Sequence, residues 1–309
     1  MGNKPLVSVI MNCYNSDTYL KEAIESVLLQ TYENWEIIFW DNQSTDNSAK
    51  IVKSYDDNRI KYFYALEHTS LGEGRNQAVS KVNGELISFL DCDDLYTTER
   101  IEVCVNYLIN NKSFGLVYSN GTVIDENGRF LKNFYSKKQA ENNLFLEWIK
   151  RYNVMIPSVM FRKCLTEKNS IAFDSDFSLV EEYDFFLQIS EVTNIGYVHK
   201  KLCSWRRHVS SLTHTSKYWL NERVSLRNKL IRKHPMLSES YAIRQMDMII
   251  GYFAFVEKCF YLKVVDRSLI KPYISLSLGL KLLYFLSFLG SRFTAFFIKS
   301  YKKYIRKNL

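Results

Sequence analysis

The 309-residue sequence predicts an α/β protein, with a mostly parallel sheet flanked by helices and a helical C-terminal extension. Through the first hundred residues, short apolar runs alternate with amphipathic helical patterns, which is typical of βαβ units. From about residue 216 onward the pattern is helical, and the chain ends in an apolar and basic tail. With 47% hydrophobic and 24% charged residues, the composition excludes a disordered, collagenous or disulfide-stapled protein.

Four strands and three helices are predicted in the first hundred residues. The strands are Leu6–Met11, Trp35–Trp40, Ile60–Tyr64 and Leu86–Leu90, and the helices between them are Asp17–Gln30, Asp46–Tyr55 and Gly72–Val82. In the first helix Leu20, Ile24 and Val27 share one face, as a helix packed on a sheet requires. Doubly wound sheets of this kind bind ligands outside the carboxyl ends of their strands.

A less regular pattern follows from residue 115 to about residue 215. It predicts a hairpin around Asp125–Gly128, a helix near Ala140–Tyr152, a strand near Val154–Phe161 and a helix from about Leu179 to Val192. We therefore predict one domain over residues 1–215 and a helical region over residues 216–309.

The net charge of +8 originates at the C-terminus. Nine Lys and Arg residues and no acid follow Asp266, so the first 266 residues hold 32 basic and 33 acidic residues. Because the excess cations are confined to an apolar tail, we expect no nucleic-acid partner. The six cysteines form no C-x-x-C pair, which favours neither a zinc site nor disulfides and fits a reduced, cytoplasmic compartment.

The tail combines apolar and cationic residues. Lys281 and Arg292 interrupt the apolar stretch Tyr273–Ile298, whose longest uncharged run is the ten residues 282–291. A bilayer-spanning helix needs about 20 apolar residues, so we expect the tail to lie in an anionic membrane interface instead. An ordinary core helix or a dimer interface is the alternative.

Polar clusters follow three of the predicted strands, at residues 12–15, 41–46 and 91–94. In the last cluster Asp91, Asp93 and Asp94 repel one another unless a cation is bound, and carboxylates suit Mg²⁺ or Mn²⁺ beside a diphosphate. An acidic turn before the next helix is the alternative. Asp41 and Asn42 could bond a base or ribose, whereas residues 44–46 fit a helix N-cap.

A second acidic cluster, Glu181-Glu182-Tyr183-Asp184, opens an apolar helix. One explanation is structural, because acids in a first helical turn complement the helix macrodipole. The other is catalytic, because a partly buried cluster of acids can supply a general base. The pattern alone leaves both explanations open.

The order and spacing of these motifs closely resemble the family 2 glycosyltransferases, which have the GT-A fold. The resemblance covers about residues 5–215. Its segments are Val7–Asn15, Leu20–Tyr32, Glu36–Ile38, Asp41–Asp46, Gly72–Ala78, Gly84–Ile87 and Leu90–Asp94, with weaker matches at Pro157–Arg162, Glu182 and Trp205–His208. The resemblance implies a nucleotide-sugar donor, Mn²⁺ or Mg²⁺ as cofactor, and inversion at the anomeric carbon.

The resemblance also implies roles for individual residues. The residues expected around the nucleotide are Asn12, Tyr14 and Asn42 at the base, Asp41 and Arg75 lining the pocket, and Asp91 near the ribose. Asp93 would bind the metal that bridges the diphosphate, and His208 would be a further metal or diphosphate contact. The family usually has a second acid where this chain has Asn42, which changes the groups offered to the base.

Glu182 would be the general base that takes the proton of the acceptor hydroxyl. The family's usual Glu-Asp pair is Glu181-Glu182 here, and the extra methylene makes Asp184 a rival for the same role. A positioned base of this kind typically contributes about 10²–10⁴-fold in rate.

We therefore expect a membrane-associated, metal-dependent, inverting glycosyltransferase. It would move a sugar from a nucleotide diphosphate donor, with UDP favoured, to a glycan or lipid-linked acceptor in cell-surface polysaccharide or lipopolysaccharide synthesis. Its place would be the inner face of the cell membrane. A nucleotidyltransferase would carry a glycine-rich, basic phosphate loop, and residues 12–15 have none. A catalytically silent nucleotide-sugar binding partner of an active transferase remains an alternative.

Overall fold

A computed structural model describes residues 4–208, 219–259 and 266–290, together with positions 294 and 298. The chain divides into two compact units, one formed by residues 1–145 and 153–216 and the other by residues 146–152 and 217–309. The assignment of residues 1–215 to a transferase domain and of residues 216–309 to a membrane-associating region stays a prediction.

The first unit is built on a nine-stranded mixed sheet. Its strands are β1 (Val7–Cys13), β2 (Trp35–Asp41), β3 (Ile60–Tyr64), β4 (Leu86–Phe89), β5 (Leu95–Tyr96), β6 (Phe114–Ile124), β7 (Phe130–Asn133), β8 (Met160–Arg162) and β9 (Asn194–Arg206). The spatial order is β3-β2-β1-β4-β8-β6-β9-β5, and β7 pairs with β6. Strands β1 to β4 run parallel, and β8 is antiparallel to β4 and β6.

Ten α-helices lie within the described residues. In the first unit they are α1 (Asp17–Leu28), α2 (Ser48–Lys53), α3 (Leu71–Val79), α4 (Arg100–Asn110), α6 (Cys164–Asn169) and α7 (Glu181–Val192), and in the second unit α5 (Phe145–Lys150), α8 (Trp219–Lys233), α9 (Tyr241–Glu257) and α10 (Leu278–Leu286). The predicted α/β class, with helices flanking the sheet and a helical C-terminal extension, is confirmed.

The core of the first unit follows from the apolar pattern of its elements. All seven residues of β2 are buried, because helices cover both faces of this parallel part of the sheet. In α1 the residues Leu20, Ile24 and Val27 are fully buried, as their spacing predicts. Strands β1 to β4 and helices α1 to α3 overlap the predicted elements, with ends that differ by a few residues.

Two predicted elements in the middle of the chain are present but shorter than expected. The helix expected over Ala140–Tyr152 begins only at Phe145, because Asn142 has a φ of 79° and pairs through its backbone with Ile195. The strand expected over Val154–Phe161 is a 3₁₀ turn at residues 156–158 followed by β8. Pro157 lacks an N–H group for a strand ladder, which explains the turn.

The parallel strands bring the polar clusters together. Cys13 at the end of β1 is level with Asp41 at the end of β2, and Asp41 is level with Tyr64 of β3. The main chain continues the β1–β4 pairing beyond β4, since the Leu90 N–H donates to the Ile10 carbonyl at 2.9 Å. The clusters at residues 12–15, 41–46 and 91–94 therefore share one edge, which we name the carboxyl edge.

The second unit has its own apolar core. Met248 and Phe255 of α9 and Leu280 and Leu283 of α10 are buried in it. In the part of the chain that the structure describes, no helix combines the length and the apolar character that crossing a membrane requires.

Candidate active site

Three carboxyl groups crowd the carboxyl edge just after β4. Burial and the charge of Asp91 raise the pKa of Asp93, while burial and both neighbouring acids raise the pKa of Asp94 well above its usual range. One oxygen of Asp94, Oδ2, is buried with no hydrogen-bond partner among the described residues. Burial and mutual repulsion disfavour the charged forms of Asp93 and Asp94, so a bound cation would stabilise these carboxylates.

His208, which follows β9, contacts this acidic cluster. Its Nε2 lies 2.8 Å from Oδ2 of Asp93, and its ring centroid lies 5.3 Å from that of Tyr19 in α1. His208 comes two residues after the end of β9, so the sheet brings together residues that are 115 positions apart. The two residues predicted to hold the metal are therefore in contact.

The Asp93–His208 pair fits a divalent cation as part of a ligand set. Carboxylate oxygen and imidazole nitrogen are both ligands of Mn²⁺, and Mg²⁺ usually keeps waters and substrate phosphate oxygens beside one or two carboxylates. Within residues 4–208, 219–259 and 266–290, no three His, Cys, Asp or Glu side chains gather in a way that could hold a metal ion by themselves. Diphosphate oxygens and water would have to complete the coordination.

Arg75 links the acidic cluster to helix α7. The buried guanidinium donates from Nη2 to Asp91 Oδ1 at 3.1 Å and from Nη1 to Glu181 Oε1 at 3.0 Å. Although burial opposes it, the two carboxylates raise the pKa of Arg75, so this side chain carries a permanent charge. The bridge fastens the first turn of α7 to the end of β4 and thereby places Glu182 near the predicted donor site.

The two candidate bases have different surroundings. Asp184 is buried, and its Oδ2 accepts a hydrogen bond from Gln188 Nε2 at 2.7 Å within α7. Loss of water around the Glu182 carboxyl raises its pKa to about 8, although the nearby Arg75 charge opposes the shift. A raised pKa next to a charge partner is typical of functional acids, and these surroundings favour Glu182 over Asp184.

Asp41 and Asn42 at the end of β2 are both buried and both bonded to loops. Asp41 accepts from the Tyr62 hydroxyl at 2.6 Å and from the Ser44 N–H at 2.7 Å. The Asn42 amide bonds to Thr69 through both its nitrogen and its oxygen. These contacts show how the two residues shape the carboxyl edge, and their predicted contacts with a nucleotide stay predictions.

Asn12 and Tyr14 lie at the end of β1 on the same edge. Asn12 Oδ1 is buried and lacks a hydrogen-bond partner among the described residues. A Cβ at Gly74 would come within 2.9 Å of this oxygen, so a larger residue there would displace the Asn12 side chain. Tyr14 is 50% exposed, and its ring centroid lies 4.3 Å from that of His68. Tyr14 is therefore available for stacking, and Asn12 for hydrogen bonding.

Arg206 lies in the weakly matched segment Trp205–His208, and the sequence assigned it no role at this site. Its side chain is 1% exposed, packs 4.3 Å above the Tyr19 ring and pairs with Glu22 at 2.7 Å. It also donates from Nε to the Asp93 carbonyl, and its backbone N–H donates to Asp94 Oδ1, both at 2.9 Å. Arg206 thus holds the acidic turn in place. The weak family match of the segment Trp205–His208 is the signal in the sequence that could have indicated it.

Known proteins resemble this chain in sequence and in fold. The model of glycosyl transferase family 2 matches residues 8–167. WfgD of Escherichia coli, a UDP-Glc:alpha-D-GlcNAc-diphosphoundecaprenol beta-1,3-glucosyltransferase, is 29% identical over 214 residues, which cover 69% of this chain and 81% of WfgD.

Two solved structures share the fold at low sequence identity. S. aureus TarS 1–349 in complex with UDP-GlcNAc superposes with a TM-score of 0.64 at 18% identity, covering 96% of this chain and 91% of TarS. The mannosyltransferase PcManGT from Pyrobaculum calidifontis, in complex with GDP-Man and Mn²⁺, gives a TM-score of 0.56 at 14% identity, covering 98% and 89%.

The family match covers half of the chain and includes strands β1 to β4, the carboxyl edge with its acids at residues 91–94, and strand β8. The parallel strands, the acidic turn and the helices packed on the sheet are the features that the sequence motifs predicted. The chain is a glycosyltransferase and belongs to glycosyl transferase family 2.

Proposed function

We propose that this glycosyltransferase inverts the anomeric carbon of a UDP-sugar and transfers the sugar to a lipid-linked glycan acceptor at a membrane surface. The observation that carries the proposal is the contact between Asp93 and His208 beside the Arg75 bridge at the carboxyl edge. The donor is supported by the UDP-GlcNAc bound to TarS, and the acceptor by the diphosphoundecaprenol in the name of WfgD.

The proposed chemistry needs a base on one side of the reacting carbon and positive charge on the other. Glu182 takes the proton of the acceptor hydroxyl, whose oxygen attacks the anomeric carbon while the bond from that carbon to the diphosphate breaks. Arg75 holds the turn of α7 that carries Glu182. A divalent cation at Asp93 and His208 would supply charge that stabilises the diphosphate leaving group, and the Mn²⁺ complex of PcManGT supports its use.

The assignment of the base predicts different outcomes for two carboxamide variants. We expect Glu182→Gln to lower the rate of UDP release from UDP-glucose by about 10²–10⁴-fold, because the amide cannot accept the proton. The assay uses GlcNAc-diphosphoundecaprenol as the acceptor and Mn²⁺ as the metal. Asp184→Asn is the matched control in the same helix and should stay within a few-fold of the wild type.

Two other outcomes would contradict the proposal, one for the assignment of the base and one for the activity itself. A rate lost in Asp184→Asn and kept in Glu182→Gln would transfer the role of base to Asp184. If the wild type binds UDP and transfers sugar from no member of a panel of UDP-sugars to any glycan or lipid-linked acceptor, the chain would be a silent binding partner and the proposed function would be wrong.

A membrane-facing surface is proposed on α10 of the second unit. Leu278, Leu282 and Phe285 of this helix are 40–78% exposed, and Lys281 between them is also exposed. Apolar side chains together with a cation suit the interface of an anionic bilayer. The basic end of the predicted tail, residues 301–307, lies outside the described residues.

The proposed surface predicts selective vesicle binding. We expect the wild type to sediment with phosphatidylglycerol vesicles more than with phosphatidylcholine vesicles. The variant Leu282→Ser/Phe285→Ser should bind several-fold less, since burial of apolar surface in the interface is lost. Met236→Ser is the control, because it removes an almost fully exposed apolar residue of the second unit that lies outside α10. Equal sedimentation of all three proteins would contradict a membrane role for α10.

A further inference from the structure

The segment after β3 is fastened to the end of β2 by a short network of hydrogen bonds. The Asn42 Nδ2 donates to the Thr69 carbonyl at 2.8 Å, and Asn42 Oδ1 accepts from the Thr69 N–H at 3.2 Å and from its hydroxyl at 3.1 Å. The Asn42 side chain is buried and its amide is engaged through both atoms. Asn42 therefore holds the loop at residues 68–69 and has little capacity left to read a nucleobase.

The same network fixes the hydrogen-bonding state of His68. Its Nδ1 lies 2.8 Å from the Asn42 carbonyl oxygen. A carbonyl oxygen can only accept, so Nδ1 must carry the proton of this bond. In the neutral imidazole, the other nitrogen is then an acceptor. Nε2 makes no hydrogen bond with any residue that the structure describes, and the residue is exposed at the carboxyl edge.

Tyr14 completes the surroundings of this acceptor. Its ring contacts the His68 ring at a centroid distance of 4.3 Å, and half of the residue stays exposed. Exposed aromatic faces stack on nucleobases of any kind. Stacking does not distinguish one base from another, whereas a hydrogen-bond acceptor beside the ring can distinguish bases by their hydrogen-bonding groups.

We propose that His68 determines base specificity at the donor site, accepting through Nε2 a hydrogen bond from the N3–H group of uracil. This inference rests on the proposed function, which places a nucleoside diphosphate at the carboxyl edge. Uracil has an N–H donor at N3, whereas cytosine has an acceptor at that position. Cytosine N3 and His68 Nε2 would then both be acceptors, so no hydrogen bond would form between them. UDP and CDP carry the same ribose and diphosphate, so the difference in their affinities isolates this contact.

The inference predicts a loss of discrimination in a variant that keeps the ring. In the presence of Mn²⁺, we expect the wild type to bind UDP about tenfold more tightly than CDP, as measured by calorimetric titration. His68→Phe retains an aromatic ring beside Tyr14 and removes both nitrogens, so its UDP to CDP affinity ratio should fall to about one. Glu67→Gln alters the preceding exposed residue and should keep the wild-type ratio.

The outcomes separate this inference from the proposed function. If His68→Phe keeps the thermal unfolding midpoint of the wild type and still prefers UDP by the same factor, the role of His68 is wrong while the donor site stands. Equal binding of UDP and CDP by the wild type would overturn the inference in the same way. If the wild type binds no nucleoside diphosphate, the proposed function fails and the inference fails with it.

Discussion

Glu182 is the proposed general base, and its carboxyl is perturbed by both burial and neighbouring charges. The pKa of its carboxyl is raised from 4.5 to about 8 by loss of water, with Glu181 and Asp91 adding to the shift and Arg75 opposing it. Below that pKa most molecules of the free enzyme hold a proton on Glu182. A general base must lose this proton before it can accept another from the acceptor hydroxyl.

The raised pKa predicts an activity that increases with pH. We expect kcat/KM for sugar transfer to rise about tenfold per pH unit from pH 6, and to level off above about pH 8, because the deprotonated fraction of Glu182 grows in that range. The measurement is the pH profile of kcat/KM, and Asp184→Asn should retain it. A rate that is constant between pH 6 and pH 8 would contradict a base with a raised pKa.

At the residue scale, sequence reasoning could identify the charged groups and could not identify their partners. Asp91, Asp93 and Glu182 are recognisable because carboxylates at strand and helix ends form motifs. His68 lies outside the matched segments, and Arg206 lies in one whose match is weak. Their contacts with Asn42 and Asp93 depend on how a loop and β9 return to the carboxyl edge. The sequence also did not show that Asp41 and Asn42, which were expected to contact the nucleotide, are hydrogen-bonded to the loops beside them.

At the element scale, the amino ends of the parallel strands are held by a polar network opposite the site. Glu36 of β2 is buried and accepts from the Ser8 hydroxyl at 2.6 Å and from the Asn83 N–H at 2.7 Å, and it pairs with Lys61 of β3. Although burial opposes it, these hydrogen bonds lower the pKa of Glu36 to about 2. The network ties β1, β2, β3 and the start of β4 together.

Removing the charge of Glu36 should therefore destabilise the first unit. We expect Glu36→Gln to reduce the free energy of unfolding by about 2 kcal/mol at pH 7, measured by urea denaturation, since charge-assisted bonds are lost. Because the folded-state pKa is depressed, the wild type should keep this stabilisation above pH 4.5 and lose it as the pH falls toward 2.

The control for this prediction is Glu33→Gln, which changes an exposed acid just before β2. It should leave the free energy of unfolding within about 0.5 kcal/mol of the wild type. A Glu36→Gln protein as stable as the wild type at pH 7 would mean that the network contributes no net stability.

Elements with a regular pattern could be predicted, and elements set by long-range pairing could not. Strands β1 to β4 and helices α1 to α3 have a regular apolar periodicity in the sequence and are joined by short loops. Strand β9, with thirteen residues, pairs with β6 through several register shifts, and residues 156–158 turn where a strand was expected. In these segments pairing with distant strands and the absent N–H of Pro157 override the local pattern.

At the scale of the whole molecule, charge is unevenly distributed along the chain. The first 266 residues are almost neutral, and the basic excess lies at the end of the second unit. The fold could be predicted because several motifs occur in one order along the chain. The sugar and the acceptor could not, because the loops after about residue 115 that would contact them follow no shared residue code.

The central claim is that the carboxyl edge binds a nucleoside diphosphate with a divalent cation at Asp93. The most direct test is calorimetric titration of UDP into the wild type and Asp93→Ala, each with Mn²⁺ and with EDTA, and with the exposed Asp56→Ala as control. We predict binding that requires Mn²⁺ in the wild type and in Asp56→Ala, and that weakens by at least about tenfold in Asp93→Ala. UDP binding that is the same in EDTA, or the same in Asp93→Ala, would contradict the claim.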